Sequence, residues 1–345
     1  MADDSTILAG IAGLIEARVG EASNVEVKNL RQIIGGNSSE IWSFDGRWTE
    51  DGVEHYKALI LRRASATELV SGDRAAEFDL LKALERTPVP APRVFWFDGD
   101  GRWLERPAMI MEKASGTAER ELLSARNKQG LDLVARVGIS TQIAEALARI
   151  HRVDVTTLAL DRPASASNPA LEQLEFYDAE ILKTLVEPMP ELRLASLWLR
   201  EHLPEPPARA TLVHGDYRPA NVLVAEGRLS AVLDWEFAHT GDPAEDIGWY
   251  LTSYYAHEHL IEGSWSADDF TAVYEQALGA KADRKAIRFW AVFCLYKLAS
   301  MTMAAQFAFV NGDNSRMGSS PDFILRPLLE NTLRDMSGLT TGDLR

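Results

Sequence analysis

An aspartate and an asparagine five residues apart, followed by a second aspartate thirteen residues on, constrain this chain more than any other feature. They are Asp216 and Asn221 in His214-Gly215-Asp216-Tyr217-Arg218-Pro219-Ala220-Asn221, and Asp234 in Leu233-Asp234-Trp235-Glu236. Thr211-Leu212-Val213 is a short apolar entry to the first motif, and Pro219 ends regular structure just after it. Asn221 to Val224 reads as a strand, Glu226-Gly227-Arg228 as a turn, and Leu229 to Leu233 as the returning strand. An antiparallel hairpin places its outer residues opposite each other, so Asn221 and Asp234 are expected at one end. Asp216 can accept the proton of an attacking hydroxyl, while Asn221 and Asp234 offer hard oxygen ligands to Mg2+. A base next to two such ligands is the equipment of metal-assisted phosphoryl transfer.

These residues resemble the aminoglycoside phosphotransferase and choline kinase family, which shares the protein-kinase fold. The resemblance runs from about Ile33 to the C-terminal helices. It implies that His214-Gly215-Asp216 is the catalytic loop, Asp216 the catalytic base, Asn221 a metal ligand and Asp234 the main metal-binding aspartate. Trp235-Glu236 stands where protein kinases have phenylalanine-glycine, so a flipping activation segment is not expected. Gly241-Asp242-Pro243 and Asp246-Ile247-Gly248 resemble the segment downstream, with Asp246 expected to cap the next helix. The Asp-Tyr-Arg loop, with an arginine ending the third strand, is similar to a branch resembling the kinase domain fused to some acyl-CoA dehydrogenases.

The N-terminal part fits the same template. Ile7, Leu8, Ile11, Leu14 and Ile15 recur at helical spacing over residues 5–19. Strands are expected at Val25 to Ile34 and Glu40 to Phe44, around Gly35-Gly36-Asn37-Ser38-Ser39. A glycine-rich turn there lets backbone N–H groups approach phosphates closely, which makes Gly35, Gly36, Asn37 and Ser38 the candidate phosphate loop. Tyr56 to Arg63 is a third strand, and Asp73 to Arg86 a helix with Phe78, Leu81 and Leu84 on its apolar face. A kinase needs a cation on that strand and a carboxylate on that helix. The usual lysine is absent. Alternation puts Ala58, Ile60 and Arg62 on one face and Leu59, Leu61 and Arg63 on the other, so Arg62 is the expected phosphate cation and Glu77 its partner. An arginine binds phosphate as a planar fork rather than a point charge. Pro88 to Pro92 is extended, and Arg93 to Phe97 and Ala108 to Met111 read as further strands. Met111 and Glu112 lie in the segment that resembles the hinge, where backbone groups would hold the adenine or guanine of ATP or GTP.

Beyond Glu112 the chain turns helical. Residues 139–151 form an amphipathic helix ending at His151, read as a cap or core histidine. Residues 155–170 read as a loop, 171–186 and 190–203 as helices. His257 and His259 lie two apart without an obvious third ligand, and are expected at a solvated helix end.

The charge balance excludes some partners. With 36 basic against 51 acidic residues the net charge is −15, a field that repels nucleic acid. The single cysteine, Cys294, allows neither a disulfide framework nor a multi-cysteine zinc site. Lys297 and Gln306 interrupt the apolar run from Phe289 towards Val310, so no membrane association is expected. The acidic start Met1-Ala2-Asp3-Asp4 is unlike a secretory leader, and a cytoplasmic location is expected.

The fold expected is therefore α+β: a two-lobed protein-kinase-like fold, with a five-stranded antiparallel N-lobe sheet and a mainly helical C-lobe. The N-terminal nucleotide-binding lobe would span residues 1–112 and the C-terminal lobe 113–345. The function expected is a Mg2+-dependent transfer of phosphate from ATP or GTP to a hydroxyl of a small metabolite or antibiotic-like molecule. Arg218, two residues after the base, would suit a carboxylate or phosphate on the acceptor, or the transferring phosphate, or a plain salt bridge. Acids and aromatics in residues 171–180, 249–265 and 284–312 would instead suit an amino sugar or quaternary ammonium group. The alternatives are a catalytically silent binding module of the same fold and a protein kinase. The intact Asp216, Asn221 and Asp234 set disfavours the first; Gly215 and Trp235-Glu236 disfavour the second.

Overall fold

A computed structural model describes residues 4–20, 24–33, 39–65, 74–158, 168–185, 187–312 and 322–337. The chain divides into two compact units, one of Met1–Gly116 with Ser230–Glu236, the other of Thr117–Leu229 with Phe237–Arg345.

The first unit runs α1 (Asp4–Val19), β1 (Glu26–Ile33), β2 (Ser39–Glu50), β3 (Val53–Ala64), α2 (Arg74–Leu84), β4 (Val94–Asp98) and β5 (Ala108–Glu112). Its five strands form one antiparallel sheet in the order β1-β2-β3-β5-β4. β2 and β3 are longer than the apolar pattern implies. They meet at Asp51-Gly52, both with positive φ (51° and 75°), the two-residue turn whose twist matches paired strands. Ile7, Ile11, Leu14 and Ile15 of α1 pack with Trp42, Phe44, Leu59 and Leu61, all buried. Each such side chain contributes about 1.5–3 kcal/mol by leaving water. Arg63 lies on the Leu59–Leu61 side, its Nη2 2.6 Å from Glu40 Oε2 and its Nη1 donating to the Leu104 carbonyl. The Ser230–Glu236 stretch is tied into this unit: Val232 N–H donates to the Pro90 carbonyl at 2.6 Å.

The second unit is mainly helical. It contains α3 (Leu133–His151), α4 (Pro169–Thr184), α5 (Pro190–Glu201), β6 (Thr211–Val213) and β7 (Val222–Ala225). Next comes β8 (Arg228–Val232), which starts in this unit and ends in the first. β9 (His239–Gly241), α6 (Ala244–Leu251), α7 (Ala256–His259), α8 (Ala267–Leu278), α9 (Arg284–Val310) and α10 (Asp322–Ser337) follow. α3 starts six residues earlier than its apolar spacing suggests, because Asp132 caps it by accepting from Ala135 N–H at 2.8 Å. Its first turn exposes Leu133 and Val134, so periodicity begins only at Ile139. β6 pairs antiparallel with β9, fixing the strand that leads into the Asp216 loop.

α9 is long and apolar enough to cross a membrane by length and composition, yet half of its most apolar window is buried. It packs along α6, where Gly248 lets the two helices approach: a Cβ there would lie 2.6 Å from Trp290 Cβ. α8 packs along α3, joined by the buried His151 Nδ1 and Tyr274 hydroxyl at 2.7 Å. His151 is thus a core histidine.

Candidate active site

In the first unit, alternation along β3 carries Arg62 to the face opposite Leu61, level with Ile41 of β2 and Met109 of β5. Its Nη1 donates to Glu77 Oε1 of α2 at 2.7 Å, and both side chains are buried. Its Nη2 lies 3.5 Å from Asp234 Oδ1 and 3.8 Å from Glu236 Oε2. Burial disfavours the Arg62 charge, but Glu77, Asp234 and Glu236 outweigh that cost and raise its pKa. The Arg62 Nε is buried without a hydrogen-bond partner among the described residues, so the guanidinium has capacity for one more acceptor. That is what a phosphate oxygen would supply.

Asp234 has φ of 61°, the left-handed region an aspartate tolerates better than most residues. Its carboxylate is about half exposed and makes no hydrogen bond with a described residue. Met111 and Glu112 end β5, with the Glu112 N–H donating to Arg93 and the Lys113 N–H to Ala58. The candidate phosphate loop, Gly35, Gly36, Asn37 and Ser38, lies outside the described residues.

In the second unit, the loop after β6 is held from several sides. Asp246 Oδ2 accepts from His214 N–H at 2.7 Å, and Oδ1 from Gly215 N–H at 2.9 Å. His151 Nε2 lies 3.0 Å from the same Oδ2. Burial alone would raise the Asp246 pKa, but His151 and the loop amides lower it overall. The expectation that Asp246 caps α6 is therefore corrected. α6 begins at Ala244, whose N–H is taken by Asp242 Oδ1 at 2.9 Å, and Asp246 is free to reach the loop. Gly215 has φ of 83°, and a Cβ there would lie 2.6 Å from the Phe237 carbonyl oxygen. Only glycine meets both conditions at low cost. Below the loop, the Tyr217 hydroxyl donates to the Ile143 carbonyl of α3 at 2.6 Å.

Within the loop, Asn221 Nδ2 donates to Asp216 Oδ2 at 2.7 Å and to the Asp216 carbonyl at 2.9 Å. Asn221 sits in the 3-10 turn Pro219–Asn221 rather than in the strand expected from its sequence; the strand starts at Val222. With its amide nitrogen committed, Asn221 retains Oδ1 as the atom able to face a cation. Arg218 Nε lies 3.2 Å from Asp216 Oδ1, a charge contact outside hydrogen-bond geometry. The Arg218 guanidinium also sits over the Tyr255 ring, 5.0 Å from its centre. Burial opposes its charge, while Asp216, Tyr255 and Glu258 favour it and raise its pKa.

Three contributors escape sequence reasoning. Lys297 of α9, fully buried, donates to the Gly215 carbonyl at 3.1 Å and lies 3.7 Å from Glu245 Oε1. Its ammonium faces the Trp249, Phe237 and Tyr177 rings at 4.9, 5.1 and 5.9 Å. The signal for it was a lone lysine inside an apolar helix, which must be met by partners if buried. Arg120 and the buried Glu258 form an ion pair that no local pattern announces. The two histidines of α7 also part company: His257 is exposed, but His259 is buried, with its Nδ1 2.5 Å from the Tyr250 carbonyl. Its expected place at a solvated end is corrected, because the Tyr250 and Tyr255 rings stack on it.

No group of three or more His, Cys, Asp or Glu among the described residues could hold a metal alone. The donor set still fits Mg2+, which binds through one or two protein oxygens and takes its other ligands from phosphate and water. The Asp234 carboxylate in the first unit and the Asn221 amide oxygen in the second are each donors of that kind.

A model of the phosphotransferase enzyme family matches residues 36–290. Acyl-CoA dehydrogenase family member 10 of Mus musculus is 30% identical over 203 residues, 58% of this chain; the chain spans only 18% of that protein. A solved structure from Ralstonia eutropha, classed with the aminoglycoside phosphotransferases, aligns over 96% of this chain and 98% of its own. Its TM-score is 0.72 at 20% identity. Aminoglycoside phosphotransferase APH(4)-Ia, solved as a ternary complex with ADP and hygromycin B, covers 96% of this chain and 100% of its own. Its TM-score is 0.60 at 17% identity. With a family match spanning both the Arg62 and the Asp216 segments, this chain belongs to the phosphotransferase enzyme family.

Proposed function

We propose that this chain is a Mg2+-dependent kinase of small molecules, transferring the γ-phosphoryl group of ATP or GTP to a hydroxyl. The observation that carries the reading is the state of Asp216. Its Oδ2 is fixed by the Asn221 amide at 2.7 Å and its Oδ1 faced by Arg218 at 3.2 Å, in a loop clamped by Asp246 and Lys297. A carboxylate so held is oriented to take a proton at a stated position, as general base catalysis requires.

In this reading the acceptor hydroxyl gives its proton to Asp216 as its oxygen bonds to the γ-phosphorus. The bond from that phosphorus to the β–γ bridging oxygen breaks, and the nucleoside diphosphate leaves. Arg62, held by Glu77, binds phosphate oxygens, and its planar fork does the work of the usual lysine. Asp234 would hold Mg2+, which when bound neutralises charge on the phosphates, and the Asn221 Oδ1 is a further oxygen donor of the kind Mg2+ takes. Met111 and Glu112 end the strand whose backbone would hold the adenine or guanine, beside the Glu112 and Lys113 N–H groups that are engaged within the sheet. ADP in the APH(4)-Ia complex supports a nucleotide donor.

Calorimetric titration of ATP and GTP, with and without Mg2+, tests this on wild type, Asp234→Ala and Asp216→Asn. Binding should require Mg2+ and weaken at least about tenfold in Asp234→Ala. Asp216→Asn should bind nucleotide within about threefold of wild type while nucleotide turnover falls by about a thousandfold or more. Absence of nucleotide binding to folded protein would refute the reading, and undiminished turnover in Asp216→Asn would remove Asp216 as base.

A further inference from the structure

We infer that the acceptor carries an anionic group, a carboxylate or a phosphate, read by Arg120 and Arg218 in the second unit. This rests on the kinase reading above, with Asp216 as the base, and adds the substrate class.

The first support is where cations stand. Arg218 is two residues from Asp216, and its terminal nitrogens donate to no described residue. Arg120 is anchored through Nε on Glu258, and its side chain remains 60% exposed. Arg218 lies over Tyr255 and Arg120 pairs with Glu258 three residues on, in the same turn, where the Glu258 N–H donates to the Tyr255 carbonyl at 2.8 Å. Each arginine has one carboxylate against its Nε, Asp216 for Arg218 and Glu258 for Arg120, which leaves terminal guanidinium nitrogens to meet an anion.

The second support is what the acids do. Glu258, which faces both arginines, is buried at 4% exposure, and one of its oxygens is committed to Arg120. Asp178, among the acids that an amino sugar would need, accepts from the Tyr296 and Ser196 hydroxyls at 2.5 and 3.0 Å and pairs with Arg200. It is thereby committed to packing α4 against α5 and α9.

The third is independent of both. Aromatic faces that would recognise an ammonium group already carry the chain's own cations: Arg218 over Tyr255, and Lys297 among Trp249, Phe237 and Tyr177. A quaternary ammonium ligand would have to displace them.

The test uses the full chain saturated with Mg2+ and ADP, so that the nucleotide's α- and β-phosphate positions are filled; an anion lodged at the open γ position would be insensitive to Arg120→Gln. Inorganic phosphate, acetate and tetramethylammonium are then titrated by calorimetry. Phosphate or acetate should bind saturably and tetramethylammonium should not. Arg120→Gln should weaken the anion at least about fivefold, with Arg120→Lys recovering part of the loss. Because Arg120→Gln strands the buried Glu258, the double variant Arg120→Gln/Glu258→Gln serves as the folded control and should show the same loss. ADP affinity, measured separately, should stay within about twofold in every variant. Failure of ADP to bind wild type would count against the kinase reading, and the anion titration would then be run without it. Saturable tetramethylammonium binding, no saturable anion binding, or equal anion affinity in wild type and the double variant would overturn the inference.

Discussion

A charge buried in a helix as apolar as α9 has to be met from several sides. Lys297 is met by the Gly215 carbonyl, the Glu245 carboxylate and three aromatic rings. Burial works against its protonation, yet these neighbours leave its pKa raised. The ammonium therefore stays charged and holds the residue preceding the base. Lys297→Met should destabilise the protein by roughly 1–3 kcal/mol, because the Gly215 carbonyl loses its donor and the buried Glu245 keeps only His239 as a partner among the described residues. Denaturant unfolding would measure this. Turnover should fall more than nucleotide affinity, since Lys297 touches the Asp216 loop and not the Arg62 side. At this scale the sequence is legible where spacing is local. Alternation on one strand is enough to pair Arg62 with Glu77, and the five-residue step from Asp216 to Asn221 becomes a single hydrogen bond. Lys297 reaches across 82 residues and Arg120 across 138. No period encodes such contacts, and only the oddity of a lysine in an apolar run hints at one.

Among elements, α6 is the part that links the base to the core. It supplies Asp246 to the loop, Glu245 to Lys297 and Trp249 to the cage around that lysine. Its closeness to α9 depends on Gly248, whose added Cβ would lie 2.6 Å from Trp290 Cβ and 2.7 Å from the Ala291 nitrogen. Gly248→Ala should push the helices apart and cost about 1–3 kcal/mol. A thermal melt should show the loss, together with reduced turnover as the Asp246 clamp shifts. The positions of α4 and α5 are close to those read from the sequence, at 171–186 and 190–203. The early start of α3 and the placing of Asp246 are not legible there, because a capping aspartate and a loop-clamping aspartate look alike in one dimension.

For the molecule as a whole, pH acts through groups whose folded and unfolded affinities for protons differ. Burial holds the His259 pKa down at about 3, against 6.5 in the unfolded chain. Between those values the unfolded state binds a proton that the folded state refuses, so stability rises with pH and is lost as pH falls below 6.5. His239, raised by Glu245 against the effect of burial, contributes the opposite dependence, but only above 6.5. Asp246 acts below 3.8, and Asp242, raised by burial, opposes the trend from 3.8 up to its folded pKa. From pH 6.5 to 5 the His259 contribution should amount to roughly 1 kcal/mol per pH unit. Replacing it, His259→Phe, should flatten the denaturation midpoint over that range; an unchanged slope would show that His259 takes up protons in the folded state.

The stretch Ser230–Glu236 belongs to the first unit while the residues on either side belong to the second. The polypeptide therefore passes between the units three times, and Asp234 lies on the middle excursion. Neither unit is a continuous length of chain. A cut after Gly116 would free a five-stranded sheet carrying Arg62 and Glu77 but lacking Asp234, and leave the remainder with a seven-residue loop cut off from its partners. Fragments, chimaeras and circular permutants that treat the nucleotide side as a removable module would each separate the cation from its aspartate.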